Sequence, residues 1–105
     1  VETPHDAWAD DMVLAEGIAR YQPYVTEEVT RVETSWAGLR SFAPDRTLVL
    51  GPAVDAGDLI WVAAQGGYGF QTAPAASQLI ADLIAGRRPE LPAGIVAALS
   101  PARFA

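Results

Sequence analysis

The chain contains no cysteine. Disulfides, thiolate metal sites and cysteine nucleophiles are excluded, and the compartment is left open on that count. Long apolar runs are also lacking. The longest, Leu59 to Ala64, has the length of a strand, far short of the roughly 20 residues that cross a bilayer as a helix. Basic residues are outnumbered, and the formal net charge is −6. The phosphate backbone of a nucleic acid is therefore not an expected partner. The opening residues, VETPHDAWADD, have neither the basic start nor the apolar middle of a secretory signal, and they do not begin with methionine. A cytoplasmic piece of a longer chain is the expectation.

What remains is globular in composition. Half of the 105 residues are hydrophobic and 19% are charged, enough for one domain or less. The acids gather early, at Asp6, Asp10, Asp11, Glu16, Glu27, Glu28 and Glu33, and read as a solvated surface. His5 reads as a surface residue, and Trp36 and Trp61 as packing aromatics. No metal site and no catalytic acid or base stands out.

WADDMVLAEGIARY predicts a short amphipathic helix, with Leu14, Ile18 and Tyr21 on one face, Asp10 and Asp11 at its start and Pro23 as its stop. In VTRVETSWAGLRSF, Thr30, Val32, Thr34 and Trp36 alternate with polar residues and predict a strand buried on one face. Gly38 within it suggests a bulge or the close approach of a ligand. TLVLG predicts a second strand and LIWVAA a third, the latter apolar enough for burial on both faces. A helix follows, with Pro74 in its first turn, Ala76, Leu79, Ile80, Leu83 and Ile84 along one face, and Gly86 as its stop. The Pro-rich tail reads as a wrapping segment with one short helical turn. The expected class is α+β, in the order helix, three strands, C-terminal helix and wrapping tail. Residues 1–35 form a helix and lead-in, and 36–105 the C-terminal segment. One helix cannot cover such a sheet, so a partner portion is expected to be missing.

Between the third strand and that helix lies QGGYGFQTAPA. Glycines at a strand-to-helix turn let a flat or charged group approach the backbone, and the first helical N–H groups face it with a positive dipole end. Gly67-Tyr68-Gly69-Phe70-Gln71-Thr72 matches G-x-G-x-x-G only in its first two glycines, and no strand follows the helix. The pyrophosphate reading fails. Two readings stay open: a donor-lined ligand loop, and a tight turn whose glycines serve packing. Arg40 in SWAGLRSF is equally two-sided. It is either an edge-strand arginine reaching solvent or a bidentate clamp on a carboxylate.

Together, SWAGLRSFAPDRTLVLGP, LIWVAAQGGYGFQTAPAASQLIADLIAG and LSPARF resemble the C-terminal part of the D-amino-acid oxidase superfamily of FAD-dependent amine oxidoreductases, nearest to its D-arginine dehydrogenase and glycine oxidase-like types. The resemblance spans about Trp36 to Phe104. It implies a parent enzyme that oxidises an amino acid or related amine to an imine. Arg40, Gly67 and Gln71 would bind substrate: Arg40 would hold the carboxylate and the Gly67 carbonyl would face the amine. Gly66, Gly67, Tyr68, Gly69, Phe70, Gln71 and Thr72 would face the flavin, with the helix N-terminus toward its pyrimidine edge. Phe70 stands where the arginine-dehydrogenase type carries an aliphatic residue, which leaves the substrate side chain open. The family's pyrophosphate loop is not in this sequence, so retention of FAD by these residues alone is not expected. The other function class is a catalytically silent truncated domain that self-associates through bare sheet.

Overall fold

The computed structural model describes residues 2–105. Contacts divide the chain between Leu39 and Arg40.

In the part that ends at Leu39, α1 spans Asp11–Tyr21. Asp10 caps it: one carboxylate oxygen accepts from the N–H of Met12 at 2.8 Å and of Val13 at 3.0 Å, satisfying donors the helix cannot pair itself. The turn tightens into a 3-10 segment at Gln22–Tyr24, with Pro23 inside it. The Gln22 amide then ties down the exit, donating to the Glu27 carbonyl at 3.0 Å and accepting from the Val29 N–H at 2.9 Å. Leu14 and Ile18 are half-buried, as the periodicity predicts, but Tyr21 is exposed and no residue of α1 is fully buried. Trp8, Val13, Leu14, Ile18, Tyr21 and Trp36 line an open groove of about 790 Å³.

The first expected strand does not form. Thr30, Val32, Thr34 and Trp36 are all exposed, and no ladder includes them. Alternation decides which side chains share a face, but a strand exists only where a neighbour takes its backbone donors and acceptors. None of the described residues does so here. Gly38 has open space around it and no left-handed backbone, so nothing near it requires a glycine. Trp36, expected to pack, is 82% exposed.

From Arg40 onward the chain is α+β. Strands β1 (Val49–Pro52) and β2 (Ile60–Ala63) pair antiparallel, with Val49 opposite Ala63 and Pro52 opposite Ile60. Helix α2 spans Gly69–Ile84 and α3 spans Ala93–Leu99, followed by a 3-10 turn at Pro101–Phe104. The tail is therefore more helical than its prolines suggest: Pro92 caps α3 and Pro101 opens the 3-10 turn, where a missing N–H is harmless. Leu48, Leu50, Ala76 and Leu79 form the core, flanked by Ile80, Leu83, Leu91, Val96 and Leu99. Leu50 and Leu79 are 2% and 1% exposed. Truncating either to alanine removes packing worth about 2–5 kcal/mol. β2 is not buried on both faces: the adjacent Trp61 and Val62, which point to opposite faces of the strand, are both exposed, because α2 packs on β1.

Helix α2 begins five residues before Pro74, not at it. Its end follows the expectation. Gly86 takes φ 64°, its N–H bonds the Leu83 carbonyl, and the Arg87 N–H bonds the Asp82 carbonyl at 2.8 Å, the double bond of a glycine-stopped helix. Asp82 is buried but paired, accepting from Gln78 Nε2 at 3.0 Å and Arg87 Nε at 2.9 Å.

Candidate functional site

The site grows out of the end of β2. Within three residues the backbone twice enters the left-handed region, at Ala64 (φ 57°) and Gly66 (φ 54°). For alanine this conformation is strained, and for glycine it is free. The Gly66 N–H donates to the Ser41 carbonyl at 3.0 Å, and the Tyr68 N–H to the Gln65 carbonyl at 3.0 Å. These bonds lay segment 40–42 alongside the glycine loop.

Each glycine has its own neighbour. A Cβ on Gly66 would lie 2.5 Å from Cε1 of Phe42, so the Phe42 ring occupies the space a side chain needs. A Cβ on Gly67 would lie 3.1 Å from Nη1 of Arg40. One on Gly69 would lie 3.2 Å from Cβ of Gln65. Gly66 is packed against Phe42, and Gly67 lies against the end of the Arg40 side chain. Arg40 itself is exposed and makes no ion pair among the described residues.

Beside Arg40 starts α2. Tyr68 precedes it without a side-chain cap. The N–H groups of Gly69, Phe70 and Gln71 therefore have no intrahelical partner and sit at the positive end of the helix dipole. Phe70 and Gln71 are exposed, Phe70 completely. Thr72 is half-buried and committed to the helix, with its N–H on the Tyr68 carbonyl at 3.0 Å and its hydroxyl on the same oxygen at 2.7 Å. Pro74, the sixth helical residue, has no N–H for the Phe70 carbonyl. Of the residues singled out from sequence, Arg40, Gly66, Gly67, Tyr68, Gly69, Phe70 and Gln71 thus gather at one helix mouth, and the Thr72 hydroxyl turns away to the backbone.

A free guanidinium and three outward N–H groups adjoin each other, and residues 64–75 contain no carboxylate or imidazole. Bare glycine backbone, free donors and the exposed Phe70 ring fit a flat ring system with an electron-rich polar edge, as a flavin has. They do not fit a pyrophosphate, whose loop needs a third glycine where Thr72 stands.

Arg46, Asp45 and Arg103 frame the site. The guanidinium of Arg46, itself at φ 60°, lies 5.3 Å from the centroid of the Phe42 ring. Asp45 accepts from the Thr47 N–H at 3.0 Å and from Arg103 Nε at 2.7 Å. Arg103 holds Asp45 well below the ordinary carboxylate pKa of 3.8, at about 2, chiefly through that side-chain hydrogen bond, with the Thr47 N–H as the next cause. The sequence carries both ends of this arrangement, the PARF ending and the Pro44-Asp45 turn, but not the contact between them.

No helix among the described residues is long and apolar enough to cross a membrane. A family model described as FAD dependent oxidoreductase (DAO) matches residues 2–83. The match takes in Arg40, the glycine loop and the mouth of α2. With well over half of its length matched, the chain belongs to the FAD dependent oxidoreductase (DAO) family.

Proposed function

We propose that this chain supplies the substrate-facing wall of an FAD-dependent oxidoreductase that oxidises an amino acid or related amine to an imine. The observation that carries the reading is the guanidinium of Arg40 beside Gly67, next to the uncapped mouth of α2. Arg40 offers two parallel N–H donors to a carboxylate, a geometry lysine cannot reproduce. The Gly67 carbonyl is the acceptor for the substrate amine, and Gln71 an adjustable polar contact. The N–H groups of Gly69, Phe70 and Gln71 would hold the electron-rich edge of the cofactor, and they would stabilise negative charge developing there. Phe70 and Tyr68 shield the site from water. When bound, FAD accepts the hydride that leaves the substrate carbon.

Arg40→Ala and Arg40→Lys test the reading in the FAD-loaded enzyme that contains this chain. Losing a charge-assisted pair in a desolvated site costs about 2–5 kcal/mol, so kcat/KM for an amino acid falls by roughly 30-fold or more. For the matching amine without a carboxylate it stays nearly constant, and flavin content holds. Equal losses on both substrates would make Arg40 a structural residue.

A second reading rests on the exposed Trp61 and Val62 of the two-stranded sheet. Under it, these 105 residues alone are catalytically silent and associate through open sheet.

A further inference from the structure

We propose that Arg103 is a positioning residue for the Arg40 site, acting across the chain through Asp45 and Phe42; the proposal rests on the reading of Arg40 as the carboxylate clamp.

The geometry begins at the guanidinium of Arg103, which has five N–H donors. Nε donates to Asp45 Oδ2 at 2.7 Å, and Nη2 to Asp45 Oδ1 at 3.1 Å and to the Thr47 carbonyl at 2.9 Å. Nη1 donates to the carbonyls of Leu99 at 2.9 Å and Ser100 at 3.0 Å. Every donor is used, and the side chain is only 14% exposed. One residue thus clips the end of α3 to the turn at 43–47. A lysine has three donors on one atom and cannot serve both sides of this clip in the same fork.

The turn passes the constraint on. Asp45 also caps the Thr47 N–H, and the Arg46 N–H bonds the Ala43 carbonyl at 2.9 Å. Arg46 stacks on Phe42, and Phe42 fills the space beside Gly66. The neighbouring Ser41 carbonyl takes the Gly66 N–H, and Arg40 lies over Gly67. Between Arg103 and Arg40 the links are hydrogen bonds, a ring contact and a few residues of turn and irregular chain. Segment 40–42 has no sheet ladder of its own to hold it. What holds it is the Gly66 bond to Ser41 and, on its C-terminal side, the turn that Arg103 clips at Asp45 and Thr47. A clamp displaced by about 1 Å from its productive geometry loses much of its effect.

Amide hydrogen exchange by NMR on the full 105-residue chain tests this. In Arg103→Ala, and in Asp45→Asn as the milder variant should the first not fold, exchange at Gly66 quickens by about tenfold or more relative to Leu79. The proton contacts between Phe42 and Gly66 weaken with it. Arg103→Lys does not restore them. Equal acceleration at Gly66 and Leu79 would mean a general stability role and overturn the proposal, as would an unchanged Gly66 or full rescue by lysine. A separate arm titrates acetate and follows the Gly67 amide shift in wild type and Arg40→Ala. If the acetate response does not depend on Arg40, the clamp reading fails on that arm alone, while the exchange data still decide whether Arg103 fixes segment 40–42.

Discussion

Gly66 and Gly67 are adjacent, and a methyl group does different things at each. At Gly66 it meets the Phe42 ring at 2.5 Å and a left-handed backbone together. Gly66→Ala is expected to cost about 1–3 kcal/mol, read as a lower urea midpoint. At Gly67 it meets only the far end of the Arg40 side chain. Gly67→Ala is expected to change stability by less than about 0.5 kcal/mol, yet to move the guanidinium and weaken carboxylate recognition. If both substitutions destabilise equally, Gly67 is a packing glycine and Arg40 has no reserved place. The run of glycines was legible as a close approach or a tight turn, because only these excuse so many. Which glycine met which neighbour was not, because Phe42 and Arg40 lie over 20 residues upstream.

The elements divide in the same way. α1 and the end of α2 could be read in advance, since caps, periodicity and the Gly86 stop act over a single turn. The strand expected from alternation at Thr30 to Trp36 could not, since a ladder depends on a neighbour that local sequence does not name. Pro74 misled about the start of α2: the first turn is held by Thr72 on the Tyr68 carbonyl, and the helix carries the proline at its sixth position. The clip between the end of α3 and the 43–47 turn is a contact of the same non-local kind, and it is pH-sensitive. Asp45 is depressed in the folded chain to about 2. Its stabilising contribution is therefore complete above the ordinary carboxylate pKa of 3.8 and is lost as pH falls through about 2. The expected result is a gap in urea midpoint between wild type and Asp45→Asn at pH 5 that closes below pH 2. It should also narrow in high salt, because Asp45 is open to water. A gap that persists below pH 2 would mean the carboxylate charge is not what holds the clip.

At the scale of the whole molecule, acids outnumber arginines only before Arg40, so the net charge of −6 belongs entirely to that stretch, and from Arg40 on the charges balance. The balanced part also exposes Trp61 and Val62 on a two-stranded sheet with unpaired edges. Self-association of the 105-residue chain is the expected outcome in sedimentation, and a clean monomer at high concentration would count against it. FAD titrated into the same chain and followed by its fluorescence is expected not to saturate at micromolar concentrations, because a pyrophosphate loop needs a third glycine where Thr72 stands. One-site micromolar binding would show that the ring contacts suffice. The sequence by itself determined the family, the charged start of α1 and the Gly86 stop of α2, because these are short-range patterns in which each residue's chemistry acts on its near neighbours. Only the tertiary structure decided that Phe42 fills the space at Gly66, that Arg40 lies over Gly67, that β2 is exposed on both faces and that Arg103 closes on Asp45. Each of those depends on segments far apart in the chain meeting at ångström distances, and packing, not composition, sets such distances.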